Sequence, residues 1–352
     1  MSINYLDHLI NKNDSIKYAL KKLNKLAADA ILFLVDDNNK LIGSITDGDL
    51  RRGFINGKTF NDKLIDFIQK KPKKIKQNNY QIRDLINYRN QNFTILPLVD
   101  DSNIVIDILN FKILKSFLPV HAFIVAGGKG VRLYPLTKDM PKPLLKVGNK
   151  PIIEHNIDSL VKFGIKNINI SINYLGHKIQ NYFNDGSRKG ISIKYIKEKI
   201  PLGTIGSITK INSLINEDDI LLLNSDLLTT INYEKLYLFY KENNADLVVA
   251  CTPYKVNVPL GVIESDNNII KSLKEKPTYT YYSNAGIYLF KKSIIDYIPK
   301  DTFFNATDLI NKLISLNKKV MKYQMIEYWT DIGRKEDLEK AKVDIINLEY
   351  FQ

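Results

Sequence analysis

Apolar positions in the first hundred residues come in short blocks, and the blocks come twice. Ile16, Ala19, Leu20, Leu23 and Leu26 fall on one face of a helix that Asp14 or Ser15 can cap and that runs to about residue 28. Residues 31–35 and 41–46 read as strands around a polar turn, and a helix is predicted from 48 to about 54. The order then recurs: a helix over 80–90, a strand over 93–99, a polar turn at 100–103, a strand over 104–109 and a helix over 111–117. Two such copies are an internal repeat. From Ala122 onward the blocks lengthen. Strands are predicted over 122–126, 168–172, 220–224, 246–251 and 269–276. Helices are predicted over 152–161, which Gly164 ends, from 206 to about 214, and over 336–348. Alternating strands and helices imply an α/β fold with a mostly parallel, Rossmann-like sheet covered on both faces. The reading is two domains, 1–119 and 120–352, joined by a junction without a Gly/Ser linker.

Composition narrows this only slightly. The chain has 352 residues, 44% hydrophobic and 25% charged, within the range of ordinary globular proteins. A formal charge of +13 suits anionic partners. The lysines are scattered and no basic stripe with interleaved aromatics is visible, so no nucleic-acid partner is expected. Cys251 stands alone in an apolar run and reads as a buried structural thiol. No apolar run reaches transmembrane length and the first residues lack signal-peptide character. No membrane association is expected, and the expected location is the cytoplasm.

Candidate chemistry concentrates in residues 123–147. An apolar strand stops at Ala126 and is followed by Gly127, Gly128 and Gly130. Glycines there let the chain turn sharply and bring backbone N–H groups close to a ligand, the makings of an anion nest. Arg132 and Lys142 add cations, and Pro135, Pro141 and Pro143 stiffen the loop that carries them. Together these describe a polyphosphate site.

The gapless run from Ala126 to Thr137, followed by Pro141-Lys142-Pro143, resembles the signature of the sugar-1-phosphate nucleotidyltransferases. The resemblance implies that Arg132 and Lys142 meet phosphates, and that Gly203 and Thr204 of Pro201-Leu202-Gly203-Thr204 line the nucleobase pocket. It implies that Asp226, just past a parallel strand, and Asp331 in Trp329-Thr330-Asp331-Ile332-Gly333 hold Mg2+. It further implies sugar-phosphate contacts from Gly261, Glu275, Lys276, Asn284 and Gly286, with Leu260 standing where relatives often carry Tyr. The implied reaction is attack of a sugar 1-phosphate on the α-phosphorus of a nucleoside triphosphate. The loops look most like those of guanylyltransferases acting on mannose-type substrates, so GTP is expected; UTP and dTTP remain open.

The N-terminal repeat resembles a pair of CBS motifs, which often bind adenosine-type nucleotides or dimerise. Gly43, Thr46 and Asp49 match the motif's Gly-x-x-Thr-x-x-Asp, with Thr46 toward phosphate and Asp49 toward ribose. The same two residues also suit a helix cap. The second copy has lost all three, so at most one nucleotide site is expected there. A homodimer is the expected assembly. The main competing reading is a nucleotide sensor whose transferase domain is inactive; the presence of Arg132, Lys142, Asp226 and Asp331 argues against it.

Overall fold

The computed structural model describes residues 4–350. The chain divides between Phe117 and Leu118 into two compact units.

In the first unit, strand β1 (Leu9–Asn11), helix α1 (Ile16–Leu26), β2 (Ile31–Val35), β3 (Leu41–Thr46) and α2 (Asp47–Ile55) form one repeat. β1 runs parallel to β2, and β2 antiparallel to β3. The second repeat has β4 (Ile75–Lys76), α3 (Ile82–Asn90), β5 (Ile95–Val99) and β6 (Val105–Asn110), paired in the same senses. Both copies carry a register shift at the same place, after Leu34 and after Leu98. The helix expected over 111–117 is reduced to a single turn. Asn110 starts that turn: its backbone oxygen takes the N–H groups of Ile113 and Leu114, and its side chain takes that of Lys112. The Lys112 ammonium pairs with Asp29, 2.6 Å off.

The second unit contains β7 (His121–Ala126), a small ribbon of β8 (Lys146–Val147) and β9 (Lys150–Pro151), α4 (Ile152–Lys162), β10 (Asn167–Ile172), α5 (Gly176–Phe183) and β11 (Ser192–Lys197). Next come β12 (Asp219–Asn224), β13 (Leu227–Thr229), α6 (Tyr233–Glu242), β14 (Leu247–Asn257), β15 (Val262–Asp266), β16 (Ile269–Lys274) and β17 (Thr278–Lys291). The chain closes with α7 (Ala306–Ser315), β18 (Val320–Gln324), β19 (Trp329–Asp331) and α8 (Lys335–Tyr350). Residues 206–214 form 3-10 turns, where an α-helix was expected.

Seven strands make the central sheet, in the order β11-β10-β7-β12-β17-β14-β18. Six run one way and β17 runs against them. A parallel return needs a crossover, usually a helix. Between β14 and β17 there is only the β15–β16 hairpin, so β17 comes back antiparallel beside β14. Phe123, Leu222, Phe290 and Leu309 pack in one core on a face of this sheet. Each fully buried apolar side chain of that size is worth about 1.5–3 kcal/mol, and this core fixes where the strand ends fall.

Candidate active site

The carboxyl ends of parallel strands are where open α/β sheets bind ligands. Three of them converge here. β7 runs buried to Ala126 and releases the glycine turn. Gly130 has φ of +61°, and a Cβ there would lie 3.0 Å from Lys142 Cβ and Thr137 Cγ2, so both conformation and space call for glycine. At Gly128 a Cβ would meet nothing within 4 Å, which leaves the backbone open to an approaching group. The turn is held by Thr137, whose hydroxyl donates to Gly130 O at 3.0 Å, and by Tyr174, whose hydroxyl donates to Lys138 O at 2.8 Å.

Lys142 begins a 3-10 turn between Pro141 and Pro143 and is buried. Its ammonium donates to Asp226 Oδ2 and lies 3.8 Å from Asp331 Oδ1. These carboxylates are far apart in sequence and meet through a short ribbon. β13 pairs antiparallel with β19, placing Leu227 opposite Asp331, and Ile332 N–H donates to Asp226 O at 3.0 Å. Burial, followed by the neighbouring charge of Asp226, raises the Asp331 carboxyl above its ordinary range; Lys142 and Arg132 pull the other way. The Arg132 guanidinium lies over Gly333, where a Cβ would be 3.6 Å from both terminal nitrogens.

The donor set fits a hard divalent cation. Asp226 Oδ1 is buried and has no hydrogen-bond partner among the described residues, although Oδ2 is taken by Lys142. An orphaned carboxylate oxygen beside a second carboxylate is what Mg2+ needs from protein when phosphate oxygens complete its shell.

The expected nucleobase loop is built differently from the glycine turn. Gly203 has φ of +76°, and a Cβ there would strike Phe304 O at 2.5 Å. Protein backbone fills the side on which a Gly203 side chain would stand. The Thr204 hydroxyl accepts from Ala306 N–H at 2.8 Å, so it is directed at the start of α7. Glu198, not anticipated from sequence, stands beside this loop. It follows β11 directly, its Oε2 accepts from Leu202 N–H at 3.2 Å, and a Cβ on Gly127 would lie 3.4 Å from that same oxygen. Glu198 Oε1 is buried without a partner among the described residues. Within Lys197-Glu198-Lys199 it reads as a solvated charge; its place just past a parallel strand was the available signal.

The sugar-site candidates fall into two groups. Gly286, with φ of +70°, presses on the Asn224 amide, where its Cβ would be 2.6 Å away, and its N–H donates to Asn284 Oδ1 at 2.9 Å. This pair therefore sits beside the end of β12, two residues before Asp226. Gly261 and Glu275 lie together at the base of the β15–β16 hairpin, 3.1 Å apart by the same measure, and Lys276 follows at φ of +43°.

In the first unit Thr46 and Asp49 cap α2 reciprocally. Thr46 N–H donates to Asp49 Oδ2 at 2.8 Å, Asp49 N–H donates to Thr46 Oγ1 at 3.3 Å, and Arg52 pairs with Asp49. In the second repeat Asn110 occupies the Thr46 place, and its amide donates to Asp29 at 3.0 Å.

Comparison with known proteins agrees with this architecture. Residues 121–347 match the nucleotidyl transferase family, and residues 8–56 the CBS domain. A mannose-1-phosphate guanylyltransferase from Mycobacterium tuberculosis is 28% identical over 64% of this chain and 65% of its own length. The chain thus spans less than two thirds of that relative's length. Among solved structures, a Bacillus anthracis protein described as a glucose-1-phosphate thymidylyltransferase superposes with a TM-score of 0.53 at 25% identity, over 64% of this chain and 94% of its own. HddC from Yersinia pseudotuberculosis, complexed with GMP-PN, gives 0.51 at 25% identity, over 64% and 99%. No described helix is long and apolar enough to cross a membrane.

Proposed function

The chain belongs to the nucleotidyl transferase family, and we propose that its second unit transfers a nucleoside monophosphate from a nucleoside triphosphate, GTP by preference, to a hexose or hexosamine 1-phosphate. The products are a nucleotide-sugar, for surface glycan synthesis, and pyrophosphate. The observation that carries this reading is the Lys142 ammonium, buried at the mouth of the glycine turn and held by Asp226 with Asp331 at 3.8 Å. The attacking phosphate is already anionic near neutral pH, so no general base is required. The obstacle is the meeting of two anions, which fixed cations and alignment remove. Lys142, immobilised by its carboxylate neighbours, bridges the α-phosphate and the incoming sugar phosphate. Arg132 holds the β- and γ-phosphates, and the N–H groups of the glycine turn (Gly127, Gly128, Gly130) cradle them. Lys276 binds the sugar phosphate and Glu275 and Asn284 the sugar hydroxyls, with Gly261 letting the chain pass close to Glu275 and Gly286 seating against Asn224 while its N–H holds Asn284. Asp226 and Asp331 would hold Mg2+, which when bound neutralises charge on the phosphates.

The GTP preference rests on Glu198. Its buried free oxygen can accept from the N1–H and N2–H2 edge of guanine, and a pyrimidine offers no such pair of adjacent donors. The names of the M. tuberculosis relative and of the HddC complex support guanine; that of the B. anthracis protein points to thymine. The N-terminal unit serves as a dimerising or nucleotide-responsive module, with Thr46 and Asp49 as its nucleotide contacts. The whole acts in the cytoplasm, where its triphosphate substrate is made. A matrix of four nucleoside triphosphates against several sugar 1-phosphates, read by pyrophosphate release, tests the proposal. Turnover should be highest with GTP and a mannose-type phosphate, and no turnover with any pair overturns it.

A further inference from the structure

Helix α7 lies far along the chain from the glycine turn, yet its first turn is joined to the Glu198 loop by exchanged caps. A helix normally has its first N–H groups satisfied by its own N-cap side chain. Here Thr204 supplies the hydroxyl that accepts from Ala306 N–H at 2.8 Å, and the N-cap residue Asn305 gives its Oδ1 to Thr204 N–H at 3.3 Å. Asp308 holds the cap in place by accepting from Asn305 N–H at 2.8 Å. The backbones are joined too. Phe304 N–H donates to Leu202 O at 3.0 Å, and the N–H groups of Ile205 and Gly206 both reach Phe304 O at 3.2 Å. Glycine at 203 and 206 permits this: a Cβ at 206 would sit 2.7 Å from Thr302 O, and one at 203 sits closer still to Phe304 O. The other end of the loop reaches Glu198, through Leu202 N–H on its Oε2. An unbroken line of short contacts thus runs from the start of α7 to the carboxylate beside Gly127.

We propose that Asn305 and Thr204 are positioning residues for nucleobase selection: their exchanged caps fix the loop at residues 201–206, and the loop aims Glu198 at the base. This rests on the function proposed above, and it assigns the Thr204 hydroxyl to α7 in place of the base. Neither residue touches the reacting atoms. Loosening the clamp should therefore weaken base recognition and leave the chemical step alone.

The test uses Asn305→Ala and Thr204→Val in the full chain, with Asn305→Asp and Thr204→Ser as conservative partners. KM and kcat are measured with GTP and UTP, GTP binding is measured separately by calorimetry, and melting temperature is recorded. Each disruptive variant should raise KM for GTP and narrow the GTP/UTP ratio of kcat/KM by about five- to tenfold, the worth of a hydrogen bond, with kcat within about twofold. Asn305→Asp keeps an acceptor oxygen at a helix start that favours negative charge, and Thr204→Ser keeps the hydroxyl, so both should recover the ratio. A lower melting temperature with unchanged GTP affinity and unchanged ratio overturns the proposal, because the clamp would then be merely structural. Should the wild-type chain turn over no substrate pair, the proposed function fails on its own; calorimetry still reads the clamp, and GTP affinity equal in wild type and both disruptive variants overturns it.

Discussion

Two turns in this molecule look alike as sequence and do opposite things. Each is rich in glycine, each carries one at positive φ, and each follows a strand-to-loop transition at the carboxyl end of the sheet. At Gly128 the space a side chain would take is empty; at Gly203 it is filled by the carbonyl of Phe304. The first turn leaves its backbone bare, and the second lets protein backbone seat against protein backbone. A glycine reports that something comes close, and only the surroundings say what.

Substitutions separate the two cases. The largest effect belongs to the open turn. Lys142→Ala should cut kcat by on the order of 10² or more with the fold retained, as loss of one preorganised charge contact does elsewhere. Steady-state kinetics with circular dichroism check it, and near-normal turnover would remove Lys142 from the mechanism. Gly203→Ala should cost about 1–3 kcal/mol of stability, from positive φ and the clash at 2.5 Å together. Denaturant titration measures this, and an unchanged midpoint would mean that the filled turn is not filled. Glu198→Gln should narrow the preference for GTP over UTP by about tenfold, because an amide has one oxygen and cannot accept both from guanine and from Leu202 N–H. Competing-substrate assays decide, and a preserved ratio would place base selection elsewhere. Smallest in stability is Gly128→Ala, within about 0.5 kcal/mol because its Cβ meets nothing. Its KM for triphosphate should nevertheless rise, and a variant with unchanged KM would argue that the open turn faces only water.

Local pattern made much of this fold legible. β2 and β3 fall on the residues expected, because apolar blocks flank a polar turn and pair at once across it. Helix α1 stops at Leu26, short of 28, where Ala27 takes φ of +50° and the chain tightens into a 3-10 turn. The expected helix over 111–117 goes no further than one turn, which Asn110 starts and from which Lys112 reaches Asp29, 83 residues earlier. The antiparallel sense of β17 could not be read from its composition, since it depends on what connects it to β14. Within the candidate site, Lys142, Asp226 and Asp331 stood out because each sits in a distinctive short run. Glu198 did not, because its significance lies in its nearness to Gly127, two strands across the sheet. Thr204 was expected at a base and is met by Ala306, 102 residues on.

β17 has a further consequence. Its 14 residues run from an exposed half paired with the outer part of β14 to a buried half between β12 and β14. Where the halves meet, the pairing with β14 slips between Val249 and Cys251, and Ala285, Gly286 and Ile287 form a bulge opposite Ala250. The Ala285 carbonyl is gripped there by Trp329 Nε1–H at 2.9 Å, on the strand that ends in Asp331. The outer arm leads to the hairpin bearing Gly261 and Glu275, and the inner arm is clamped in the sheet. A change at the bulge therefore touches two places at once: the outer arm with its hairpin and, through the indole, the strand that carries Asp331.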